Sequence, residues 1–190
     1  MGSMEELRQQ CQGCQLCGLG AARKNLVFGD GNPEADIMFI GEGPGKQEDE
    51  QGIPFVGAAG QFLSRILEII DLDRSRYYIA NIVKCRPPRN RDPQPEEQDA
   101  CIPYLNEQIK LVQPKIIICL GRIAAARLIH NGYRITREHG TWIQQDGIWM
   151  TALYHPSALL RDDSKRPETF DDLRSIRGKI LEVCPEVYDN

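Results

Sequence analysis

The sequence predicts an α/β fold with a mainly parallel sheet, and two observations carry that expectation. Several short β-rich runs are almost continuously apolar, Ile116-Ile117-Ile118-Cys119-Leu120 being the clearest, as strands covered on both faces are. Between these runs, apolar residues recur at helical spacing, and such alternation gives a sheet with crossover helices. Strands are expected over residues 36–40, 77–83, 115–120 and 148–153. The segment 58–70 sets Phe62, Leu63, Ile66, Leu67 and Ile70 on one helical stripe. The segment 95–111 opens on Pro95-Glu96-Glu97, which suits a helix N-terminus, and carries Ile102, Leu105 and Ile109, with Val112 just beyond. Residues 123–129 and 170–183 supply two further helices.

A chain of 190 residues with 41% apolar content suits one domain and excludes wholesale disorder. That domain is expected over residues 4–190, with residues 1–3 ahead of Met4 set aside as an expression scar. No apolar run reaches the ~18–20 residues a membrane span needs, and no basic-then-apolar leader opens the chain. A cytoplasmic protein with no membrane partner is the expectation. The net charge of −4 argues against binding nucleic acid by bulk positive charge and leaves room for a local basic patch.

Ligands in parallel sheets bind beyond the carboxyl ends of the strands. The first strand runs into Gly41-Glu42-Gly43-Pro44-Gly45-Lys46-Gln47-Glu48-Asp49, a loop whose glycines let backbone N–H groups approach a ligand. It is neither a P-loop nor a dinucleotide fingerprint, and alone it reads equally well as a tight strand-to-helix turn. Phe55, between Pro54 and Gly57, is either a core plug or a face on which a flat ring stacks. Asn81 closes the second strand, as a turn former or as an amide offering a donor and an acceptor to a base edge. Lys84, Arg86, Arg89 and Arg91 follow with little acid between them, a candidate phosphate-binding stretch. The fourth strand ends at Tyr154-His155-Pro156-Ser157, where His155 is placed to donate into a cleft, although a lone histidine is more often structural. His130 and His139 are read as structural.

Seven cysteines in a chain without a leader do not suggest a disulfide framework. Cys14 and Cys17 form a chelating pair that Cys85 and Cys101 could complete to a four-thiolate site, for zinc or an iron–sulfur cluster alike. Cys11 overlaps that pair at the same spacing and leaves the ligand choice open. Cys119 reads as core and Cys184 as incidental.

Taken in order, the paired cysteines, Gly41-Glu42-Gly43-Pro44-Gly45 with Glu48-Asp49, the Phe55 segment, Asn81 to Pro88, Cys101 and His155 to Arg161 resemble the family-four uracil-DNA glycosylases, the iron–sulfur branch of their superfamily. The resemblance runs from Cys11 to about Ile180. It implies a three-layer α/β/α sandwich around a four-stranded mainly parallel sheet, and a structural [4Fe–4S] cluster on Cys14, Cys17, Cys85 and Cys101. It also implies a monomeric, monofunctional enzyme that removes uracil from single- or double-stranded DNA. In that reading Phe55 stacks on the flipped base, Asn81 reads its edge, and Glu48 crowds out the methyl of thymine. His155 and the backbone near Gly43 stabilise the departing uracil anion, Glu42 positions water, and Asn90 assists. Lys84, Arg86, Arg89, Ser157 and Arg161 hold the DNA backbone, while Ala158, Leu159 and Leu160 wedge into the gap left by the base. A better-known branch carries Asp where this chain has Gly43, so Glu42 stands in for it. The loop after the second strand lacks the histidine of a covalently trapping relative, so turnover is expected. Two alternatives are a glycosylase of the same fold acting on hypoxanthine or xanthine, and a non-catalytic nucleic-acid-binding module with zinc on the four cysteines. A mere binding module has no need of Glu42, Phe55, Asn81 and His155 together at strand ends.

Overall fold

The computed structural model describes residues 2–189. The elements in chain order are α1 (Met4–Gln12), α2 (Leu19–Ala22), β1 (Asp30–Gly31), β2 (Ile37–Gly41), α3 (Lys46–Gln51), α4 (Ala58–Glu68), β3 (Tyr78–Asn81), α5 (Pro95–Val112), β4 (Ile116–Leu120), α6 (Arg122–Leu128), α7 (Ile135–Glu138), β5 (Ile143–Gln145), β6 (Ile148–Leu153), α8 (Pro156–Arg161) and α9 (Arg166–Val183). Short 3₁₀ turns fill some of the connections.

Every residue of β2 and β4 is buried, and the period of two sends alternate side chains to opposite faces. Met38, Ile40, Ile117 and Cys119 pack with Leu105 of α5 and with Ala124 and Ala125 of α6. Ile37, Phe39, Ile116 and Ile118 pack with Leu63 and Leu67 of α4 and with Leu173, Ile176 and Ile180 of α9. Helices therefore cover both faces of the sheet, which is why these strands are apolar without interruption.

The sheet order is β1-β3-β2-β4-β6-β5, and the four inner strands run parallel. The expectation of four strands is corrected to six among the described residues. The additional strands, β1 and β5, are antiparallel edges of two and three residues and are incompletely buried. Neither is long or apolar enough to register as a strand in sequence. A cue for the second was nonetheless present: Asp146 and Gly147 join β5 to β6 with φ of 50° and 79°, and Asp-Gly is a favoured two-residue hairpin turn.

Ser3, set aside in sequence, is part of the fold. Its hydroxyl accepts from Glu6 N and its own N–H donates to the Glu6 carboxylate, a capping box that starts α1. The buried Leu7 and Cys11 of α1 pack against Phe28. Among the described residues no helix is long and apolar enough to cross a membrane.

Candidate active site

The carboxyl ends of β2, β3 and β6 open onto a cavity of about 370 Å³, within the size range of small-molecule sites. Its lining brings together Glu42, Gly43, Glu48, Phe55, Asn81, Asn90, His155, Ser157 and Arg161. The parallel register explains much of this convergence, because Gly41 and Asn81 are paired neighbours at the ends of β2 and β3.

Asn81 is 2% exposed, and its Oδ1 is buried with no hydrogen-bond partner. A buried acceptor left unpaired costs ~1–3 kcal/mol, so this atom is poised for a donor that arrives with a ligand. Beneath it, a Cβ on Gly41 would lie 2.6 Å from Asn81 Oδ1 and 2.6 Å from Phe55 Cζ. Only glycine lets the amide and the ring converge there.

Phe55 sits in the left-handed region with φ of 56°, which a non-glycine residue adopts only when its surroundings hold it. Glu48 supplies that hold. One carboxylate oxygen accepts from Gly45 N at 3.1 Å, and the other accepts from Val56 N at 2.9 Å and Gly57 N at 2.7 Å. The glycine loop and the Phe55 turn are thereby tied to one anion. From below, Gly60 in the first turn of α4 comes so close to the Phe55 backbone that any Cβ there would overlap it.

His155 precedes α8 and caps it. Its Nδ1 accepts from Ser157 N at 3.1 Å, with Ser157 Oγ at 2.7 Å. A backbone N–H can only donate, so Nδ1 carries the lone pair and the proton of the neutral ring is on Nε2. Burial, reinforced by the Arg161 charge, lowers the imidazole pKa to about 4. The ring is a neutral donor lying 6.2 Å from that of Phe55, centroid to centroid. Sequence alone marked Ser157 only as a backbone-binding candidate and did not reveal its part in fixing this tautomer.

Glu42 follows β2 directly. Burial, with the charge of Asp92 adding to it, raises its pKa to about 7, while Arg122 and Arg161 oppose the shift. Asp92 and Arg122 are themselves an ion pair at 2.6 Å, and neither was singled out in sequence as acting on Glu42.

The basic stretch after β3 is largely engaged in its own fold. Arg91 makes a two-point contact with Glu97 at 2.7 and 2.8 Å, fastening the loop to α5. The Nε of Arg86 donates to Asn90 Oδ1 at 2.8 Å. Arg89 and Asn90, with φ of 55° and 56°, form a left-handed turn that leaves both side chains exposed.

Three expectations are corrected. Lys84 is 1% exposed and cannot reach a DNA backbone, because it is enclosed between β3 and α5. Leu159 is 1% exposed and belongs to the core beside α4, because the helical turn of α8 points it inward; Ala158 is half-buried and Leu160 exposed. The expected [4Fe–4S] cluster, and zinc on the same cysteines, are not supported: among the described residues no group of three or more His, Cys, Asp or Glu is placed to hold a metal ion. The cysteines there are free thiols. Cys85 Sγ accepts from the Arg23 guanidinium at 3.2 Å and Cys101 Sγ from Lys84 N at 3.3 Å. Burial raises both thiols, Cys101 to about 11. Cys85 and Cys101 pack with Leu19, Val83 and Leu105 and accept these hydrogen bonds at the end of β3.

With this geometry in place, the likeness to known proteins is informative. The model of the uracil DNA glycosylase superfamily matches residues 28–175. The chain is 41% identical to a type-4 uracil-DNA glycosylase of Sulfurisphaera tokodaii, over 99% of this chain and 89% of the relative. It is 39% identical to that of Archaeoglobus fulgidus, over 100% and 99%, and 41% identical to that of Thermotoga maritima, over 93% and 94%. Identity at this level over nearly the full length of each relative means that the chain belongs to the type-4 uracil-DNA glycosylases of the uracil DNA glycosylase superfamily.

Proposed function

We propose that the protein excises uracil from DNA, hydrolysing the N-glycosidic bond of a flipped nucleotide and leaving an abasic site. The observation that carries this reading is the unpaired, buried Asn81 Oδ1 beside Phe55 and a neutral His155 in one cavity. A base inside the stack is out of reach, so the nucleotide is extruded into the cavity at a cost of a few kcal/mol. Phe55 stacks on its ring. Uracil N3–H donates to Asn81 Oδ1, satisfying the orphaned acceptor, and the amide NH₂ donates to O4. Cytosine presents the opposite pattern and leaves both groups unpaired. Glu48, immobilised by its backbone bonds, is a rigid wall against the methyl of thymine.

When the bond between N1 and C1′ breaks, the electron pair leaves with the base and the sugar becomes cationic. His155 Nε2–H and backbone N–H groups near Gly43 stabilise the uracil anion as it forms. Glu42, as a carboxylate, offsets the sugar charge and orients water toward C1′, with Asn90 beside it. The water oxygen bonds to C1′ and the displaced proton ends on the base. Ser157 and Arg161, which line the cavity, and Arg86 and Arg89 in the loop beside Asn90 serve as phosphate contacts, and Ala158 and Leu160 serve as the wedge in the duplex. We place this activity in a single domain acting as a monomer in the cytoplasm, on single- or double-stranded DNA.

The test is single-turnover cleavage of oligonucleotides carrying one uracil, hypoxanthine or thymine, developed with alkali. Breakage at uracil alone is the expected result. Breakage mainly at hypoxanthine transfers the reading to another deaminated base, and none at any base removes the enzymatic reading.

Two further outcomes follow. Because Glu42 titrates near 7 and is needed ionised, the rate rises with pH through about 7 and then levels. His155 stays neutral over that range. Glu42→Gln is slower by about 100-fold and its rate is flat with pH; an unchanged inflection in this variant assigns the titration elsewhere. Gly41→Ala forces Asn81 and Phe55 apart and slows excision about 10- to 100-fold, since a misplacement near 1 Å has that effect on rate. It also lowers Tm by a few degrees, the usual result of overpacking by ~1–3 kcal/mol.

A further inference from the structure

Lys84 is enclosed, at 1% exposed, and none of its hydrogen-bond partners is a carboxylate. Its ammonium donates to the main-chain carbonyl of Asn81 at 2.9 Å and to Gln108 Oε1 at 2.6 Å. Gln108, fully buried on α5, is oriented in turn by donating to Phe28 O at 2.9 Å and to the Tyr78 hydroxyl at 3.2 Å. Burying an ammonium without a counter-charge is costly, and an apolar side chain of similar volume commonly serves stability as well or better. The location of this polar chain gives it another use. On its outer side β3 is paired by β1 only at Tyr78 and Ile79, so the end of the strand that carries Asn81 has no strand holding it there.

We propose that Lys84 is a positioning residue for Asn81, its ammonium clamping the backbone from behind so that the amide keeps one orientation toward the base. The proposal rests on the base-reading role given to Asn81 above. The amide itself has an unpaired Oδ1, so no side-chain bond at that atom fixes its angle before a base arrives. The backbone to which it is attached must do so. Gln108 is the second anchor, passing the rigidity of α5 to the strand end.

A double-mutant cycle on the full chain tests this, with single-turnover excision of uracil as the readout. Lys84→Met is expected to slow the reaction about 10- to 100-fold. Asn81→Ala is slower still, and Lys84→Met added to Asn81→Ala costs nothing further, because the clamp acts only through that amide. Multiplying losses in the double variant, or an undiminished rate in Lys84→Met, overturns the clamp while leaving the reading of Asn81 intact. A normal rate for Asn81→Ala overturns the base-reading role and the clamp with it. Should circular dichroism show Lys84→Met unfolded, Gln108→Leu runs the same cycle with a smaller loss, and the same outcomes decide.

Discussion

Replacing His155 by Ala slows single-turnover excision of uracil by about two to three orders of magnitude, the usual cost of removing one preorganised donor from a developing anion. The reason lies in how the ring is held. Ser157 occupies Nδ1 from the backbone and from its hydroxyl, so Nε2–H is the only donor left. A neutral imidazole in a buried site needs no reorganisation as charge develops on the base. The loss therefore falls on kcat and on kcat/KM alike, with little change in DNA affinity. Ser157→Ala removes the hydroxyl while the backbone bond persists, so its effect is much smaller. A His155→Ala variant within a few-fold of the parent rate would transfer anion stabilisation to the backbone N–H groups near Gly43.

Asn81→Asp lowers uracil excision at least about 100-fold and erodes discrimination against cytosine. The substitution exchanges an NH₂ donor for a second acceptor at a site that is 2% exposed. If ionised, the carboxylate opposes uracil O4 across a short distance in a medium of low polarity, and it accepts from the exocyclic amine of cytosine. A factor of 100 corresponds to ~2.7 kcal/mol, within reach of one lost hydrogen bond plus one buried repulsion. Rates on otherwise identical uracil- and cytosine-containing strands measure it, with circular dichroism as the check on folding. Full uracil activity in this variant would sink the base-reading assignment.

The parallel centre of the sheet was legible because strands buried on both faces are apolar at every position, as Ile116 to Leu120 are. Glu42, Phe55, Asn81 and His155 stood out because they lie at strand ends or in the turns beside them, where side chains converge irrespective of the detailed packing; the part of Gly41 in letting Asn81 and Phe55 meet did not. What sequence could not convey is which neighbour claims a polar group. Lys84 looks like its basic neighbours until α5 brings Gln108 against it. Arg91 looks free until Glu97 closes on it. Leu159 falls in a helix too short to show an amphipathic period, so its inward turn depends on α4. Cysteine spacing likewise shows which segments meet, and here Cys14, Cys17, Cys85 and Cys101 do border one cavity. Spacing does not show whether the side chains are placed to hold a metal ion, and among the described residues none are.

The two antiparallel edge strands have a consequence for the behaviour of the protein at high concentration. A sheet that ended on one of the parallel inner strands would expose a run of free N–H and C=O groups, a template on which a second chain could extend it. β1 offers two residues and β5 three, too few for an incoming strand to gain more than a couple of ladder bonds. The hairpin turn at Asp146-Gly147 also carries the chain directly from one edge into β6, which adds local twist there. Sheet growth is thus terminated at both ends by short segments that carry no cavity residue.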